Sequence, residues 1–222
     1  VEADVDSEYD YELLGYITPK KMGQAYHCPV FNGLSKQTTS EQLMDLGTQL
    51  NIHGIVPMFH VVGVTPEAAD VHTAFLGRKD PPVVTITNED LAQARAEISA
   101  GTGKADFCIL GCPHLTINQV GSIAKMLDGQ QLAGQLYIFT STSTKELAQR
   151  MGYLDIIHKA GGEIVINSCV DQPCWSHLYG MSGVTESPKC AYYTKRWNMT
   201  FTVKSIPACI QSVLKGRSYH EG

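Results

Sequence analysis

From about residue 83 the chain alternates short apolar runs with amphipathic segments, and the period changes each time. Residues 83–87 read as a strand, and residues 88–100 repeat at helical spacing with Glu89 and Asp90 in the first turn, where acidic side chains complement a helix dipole. The unit then recurs: residues 106–111 form a predicted strand followed by a helix over 118–127. Residues 135–141 form a strand followed by a helix that Ser143 and Glu146 open as a capping box, and 163–168 form the next strand.

Strands separated by helices need crossover connections, and crossovers produce a mostly parallel sheet covered on both faces. The expected fold class is therefore α/β, a three-layer αβα arrangement. In such a sheet, ligands bind beyond the carboxyl ends of the strands.

The pattern before residue 83 is less regular. Residues 39–50 are predicted helical and 55–62 a strand, and 63–68 form a turn in which Pro66 opens another helix. Residues 171–195 are loop-rich, 199–203 are extended, and 207–215 form a terminal helix stopped by Gly216. Residues 1–222 read as one region with a subdivision point near residue 80.

Composition narrows the function classes. The 222 residues are 43% hydrophobic and carry a net charge of -5, without a basic run, so neither nucleic acid nor an anionic membrane is an expected partner. The first residues are acidic and no apolar stretch is membrane-length, which makes cytoplasmic the expected location. Seven cysteines, an odd number, favour thiols or metal ligands over a disulfide framework.

Position sorts these cysteines. Cys112 and Cys169 each follow a predicted strand, at the edge where sites are built, while Cys108 falls mid-strand and reads as packing. Cys112 precedes Pro113, a pairing that also ends iron-sulfur motifs, and Cys169 and Cys174 have four residues between them, a spacing that metal sites use. Cys112 as the nucleophile of a hydrolase is an alternative. The Gly-rich pieces at 101–104 and 160–163 follow helices and read as helix stops rather than phosphate loops. Ser187, Lys189 and two tyrosines in "TESPKCAYY" at 185–193 offer chemistry suited to a carboxylate or phosphate.

Five stretches, "LLGYI" at 13–17, "FHVVGVTPEA" at 59–68, "LGCPHLTINQV" at 110–120, "INSC" at 166–169 and "TESPKCAYY", together resemble aconitase X. The resemblance runs over the whole chain and corresponds to the later part of that family's large subunit. It implies an aconitase-like fold and a hydro-lyase that removes water from a small hydroxy acid such as mevalonate 5-phosphate or cis-3-hydroxyproline. It also implies an iron-sulfur cluster or mononuclear iron, and a small swivelling-domain subunit that carries the proton-abstracting serine. Carried over by position, Cys112 and Cys169 hold the metal, with Cys174 in reserve and a third ligand from upstream. Ser187 and Lys189 face the substrate's carboxylate or phosphate, and His60, Thr65 and Glu67 match the second motif. His114 reads as a wall residue of the site. The chain departs from the pattern at Asn167-Ser168, where Asp-Thr is expected, and at Tyr192, where His is expected. These departures motivate another alternative, a metal-free scaffold for the small subunit.

Overall fold

The computed structural model describes residues 1–23, 28–79, 81–99, 101 and 103–217. These form two compact units, Val1–Ala96 and Glu97–Gly222.

In the first unit, helix α1 (Glu8–Met22) packs against α2 (Ser40–Gln49). Both open with a capping box, Ser7 with Asp10 and Thr39 with Gln42, which satisfies two orphan amides at each helix start. Gly15 of "LLGYI" lets the two helices approach, because a side chain there would meet the Leu46 carbonyl oxygen at 2.6 Å. The α1 helix has no counterpart in the sequence-based expectation: its residues are buried on nearly every side, so no polar stripe marks its period.

The expected strand over 55–62 shrinks to β2 (His60–Val61), which pairs in parallel with β1 (Val30–Phe31). Pro57 cannot donate to a ladder, and Ile55 and Met58 are exposed. Pro66 lies in a turn and opens no helix; the short α3 (Val71–Ala74) starts after Asp70, whose carboxylate accepts the Thr73 amide. Residues 83–87 join no sheet, since only Ile86 among them is fully buried and its carbonyl takes the amides of Glu2 and Ala3. Helix α4 (Asn88–Ile98) follows as expected, and Ala100 and Thr102 lie outside the described residues.

The second unit is built on a five-stranded, wholly parallel sheet. Its strands are β3 (Phe107–Leu110), β4 (Gln135–Thr140), β5 (Gly162–Ile166), β6 (Ser182–Thr185) and β7 (Thr200–Val203), in the order β5-β4-β3-β6-β7. The helices α5 (Ile117–Leu127), α6 (Thr142–Arg150), α7 (Tyr153–Ala160) and α9 (Ile206–Lys215) pack on the face formed by Cys108, Leu110, Leu136, Ile138, Ile164 and Val184. The other face carries Phe107, Tyr137, Phe139 and, from β7, Phe201, whose ring meets that of Phe107 edge-on; Trp175 of a 3-10 turn (Pro173–Leu178) packs edge-on against Tyr137 and Phe139. Both faces are covered, which makes the three-layer α/β fold.

Two local expectations change. Helix α6 is capped by Ser141, whose Oγ accepts the Thr144 amide, so Ser143 already lies inside the helix. The loop-rich region 171–195 contains β6, a central strand, and helix α8 (Pro188–Thr194). Glycine and serine in "SGVT" hid the strand. Gly183 is needed there because an added Cβ would lie 2.7 Å from the Phe107 ring.

Candidate active site

The strand order contains one reversal. From β3 the chain moves outward through β4 to β5, then returns to β6 on the other side of β3 and continues to β7. At such a switch point the two connections leave the sheet in opposite directions and open a crevice at the carboxyl ends. The segment after β3 is Gly111-Cys112, and the segment after β6 is Glu186-Ser187.

Gly111 turns the chain at φ +114°, a conformation that excludes side chains, and a Cβ there would run into the backbone of Phe139. The next peptide, Cys112-Pro113, is cis. The Glu186 carboxylate, 5% exposed, lies under this turn: Oε1 accepts the Gly111 amide at 2.6 Å and the Cys112 amide at 3.2 Å, and Thr185 Oγ1 donates to Oε2 at 3.3 Å. Burial raises its pKa, and the two amides pull it back. Ser187 is fully buried; it caps α8 by accepting the Cys190 amide, and its hydroxyl stands within hydrogen-bonding reach of the Cys112 thiol. Burial pushes that thiol up to about 11, while the Ser187 hydrogen bond and the Lys189 ammonium oppose the rise.

Cys169 reaches the same place from edge strand β5. A left-handed Asn167 (φ +50°) turns the chain after the strand, and its amide group donates to Thr142. Side chains from elsewhere then fix the loop: His114 Nε2 lies 2.8 Å from the Ser168 carbonyl, and Trp175 Nε1 donates to the Cys169 carbonyl at 3.1 Å. Asp171 takes Arg196 through both oxygens, at 3.0 and 2.6 Å, and the Trp197 indole at 2.8 Å.

Cys112, Cys169 and Lys189 thus line one cleft of about 200 Å³, together with Val170, Cys190 and Tyr193. Cys174 does not line it and is exposed on the 3-10 turn. His60 and Thr65 belong to the first unit. The Thr65 hydroxyl is bound to the backbone of Val61, which closes its own turn, and His60 Nδ1 is buried without a hydrogen-bond partner. Sequence reasoning missed Glu186, Asp171, Arg196 and Trp197; the one legible trace was the place of Glu186 inside the stretch "TESPKCAYY".

Family models describing the aconitase X second and third domains match residues 1–96 and 105–215. The chain belongs to the aconitase X family. It is 34% identical over 197 residues to the phosphomevalonate dehydratase large subunit of Methanothermobacter thermautotrophicus, covering 87% of this chain and 47% of that protein. It is 29% identical to the cis-3-hydroxy-L-proline dehydratase of Pseudomonas aeruginosa, covering 94% of this chain and 37% of that protein. The crystal structure of Thermococcus kodakaraensis aconitase X in its holo-form superposes with a TM-score of 0.83 at 28% identity, over 95% of this chain and 53% of that one. This aconitase X chain therefore spans about half the length of the phosphomevalonate dehydratase subunit it matches.

Against an iron centre, the donor set fits in chemistry and is incomplete in number. Three thiols, soft donors suited to iron and its clusters, line the cleft, Cys112, Cys169 and the buried Cys190, yet among the described residues no group of three His, Cys, Asp or Glu is gathered to hold a metal. No described helix is long and apolar enough to cross a membrane.

Proposed function

We propose that the chain supplies part of the active site of a hydro-lyase that removes water from a small hydroxylated carboxylic acid. The observation that carries this reading is the convergence of the Cys112 and Cys169 thiols, each from a loop beyond a strand end, with the Lys189 ammonium in a single cleft at the switch point of an aconitase X fold.

Cys112 and Cys169 would hold iron or an iron-sulfur cluster, with the remaining ligand from the length of the relatives that this chain does not span. When bound, such a centre supplies a Lewis acid for the departing hydroxide, which is otherwise a poor leaving group. Lys189 orients the substrate by pairing with its carboxylate or phosphate, a contact strengthened where the cleft excludes water. Tyr193 and Val170 wall the cleft around the substrate's carbon skeleton. Ser187 holds the first turn of α8 so that Lys189 faces the cleft, and His114 braces the Cys169 loop through Ser168. The base that takes the C–H proton comes from the small partner subunit or domain. The cytoplasm is the expected compartment, because the thiols must stay reduced.

Anaerobic purification of the whole protein with its small partner tests the reading. Iron should be bound, Cys112→Ser and Cys169→Ser should each lower iron content at least about tenfold, and mevalonate 5-phosphate or cis-3-hydroxy-L-proline should be dehydrated. Lys189→Met should raise KM about tenfold or more through loss of a charged contact. Iron-free protein with unaltered dehydratase activity would refute the assignment.

A further inference from the structure

Glu186 carries a cost that ordinary turn chemistry does not explain. It is a buried carboxylate whose partners include the Gly111 and Cys112 amides and the Thr185 hydroxyl, where a neutral acceptor would close a turn at lower cost. Its placement shows what it replaces. The ladder between β3 and β6 ends at the pair Ile109 and Thr185, so beyond it the β3 chain has lost its partner strand on that side, while the β4 side pairs on through Leu110. Gly111 then swings the backbone so that two successive N–H groups point to one spot, and Oε1 of Glu186, the first residue after β6, occupies that spot. The side chain extends the sheet by two hydrogen bonds past its last strand residue. These bonds set the orientation of the peptide that carries the Cys112 thiol, and the same short segment runs on to Ser187 and Lys189.

We propose that Glu186 is a positioning residue for Cys112, aiming the thiol into the cleft through its two amide hydrogen bonds and tying that aim to the segment bearing Ser187 and Lys189. Both bonds end on a single oxygen, so acceptor geometry rather than side-chain volume does the work. Glutamine keeps that oxygen, and leucine removes it at nearly equal size.

The test uses the full-length protein with its partner, in metal-free and iron-loaded forms. Iodoacetamide labelling of Cys112, followed by peptide mapping of the metal-free protein, should be about tenfold faster in Glu186→Leu and within about twofold of wild type in Glu186→Gln. Iron retention on dilution should fall in the leucine variant and be held by the glutamine variant. In the unmutated protein, the amides of Gly111 and Cys112 should exchange slowly, which decides the matter if the leucine variant does not fold. Wild-type labelling in Glu186→Leu, equal disturbance in both variants, or fast exchange at Gly111 and Cys112 would each overturn the proposal. Only the iron readout rests on the proposed function. If labelling and exchange behave as expected while the wild type binds no iron, the ligand reading fails and the positioning role stands.

Discussion

Cys112 and Cys169 arrive at one cleft from two strands of one sheet, and they are held there by opposite means. Cys112 follows the central strand β3, and its turn is fixed by features interior to the sheet: a glycine that no other residue can replace, and a buried carboxylate from the neighbouring strand. Cys169 follows the edge strand β5, which among the described residues has a neighbour on one side only, so the sheet cannot dictate where its loop goes. Its position depends on side chains reaching in from outside: His114, Trp175, and the Arg196 and Trp197 pair on Asp171. A residue beyond a central strand inherits the precision of the sheet, whereas one beyond an edge strand needs surface clamps that solvent and salt can weaken.

The largest expected effect separates the two turns. Gly111→Ala forces a side chain into a left-handed backbone position against Phe139, and denaturant unfolding should show a loss of about 3–5 kcal/mol. Asn167→Ala, at the left-handed residue of the other turn, should cost about 1 kcal/mol, because alanine tolerates that conformation somewhat less well than asparagine and the bond to Thr142 is lost. Equal losses at the two positions would break the comparison.

Alkali should sharpen it. Folding raises the Cys112 thiol from about 9 to about 11, so the folded chain holds a proton that the unfolded chain releases. The sign follows: this contribution is complete below pH 9 and is lost as pH rises toward 11, so the melting temperature of metal-free protein should fall across that window. The slope should be shallower in Cys112→Ser. The buried thiols of Cys108, Cys190 and Cys209, also raised by burial, add to the fall and remain in the variant.

The smallest effect concerns the edge clamp. Arg196→Ala removes a partly exposed ion pair, worth about 0.2–1 kcal/mol, and should speed alkylation of Cys169 by up to about fivefold while leaving Cys112 unchanged. High salt should reproduce part of this in the unmutated protein. A change at Cys112 instead would mean that the two turns are not independently held.

Much of this arrangement was legible along the chain, for identifiable reasons. β3, β4 and β5 have apolar runs bounded by helices of clear period, so their type and the parallel sheet follow from local pattern, and so does the placement of Cys112 and Cys169 beyond strand ends. β6 was not legible, because its "SGVT" buries glycine against the Phe107 ring, a fit that exists only once β3 lies beside it. α1 was missed for the converse reason: burial all round erases the amphipathic stripe that marks a helix. The residues 83–87 mislead because apolar side chains were read as buried when most of them face solvent.

The sequence by itself determined the fold class, the family resemblance and the two cysteines at strand ends, since each rests on short-range pattern or on motifs read directly from the letters. Only the tertiary structure decided which groups meet. It placed Glu186 under Cys112 and set Asp171 between Arg196 and Trp197, and it brought Lys189 into the cleft while leaving Cys174 outside. Those pairings join residues 25 to 75 positions apart, and strand order, which no local signal encodes, is what closes that distance.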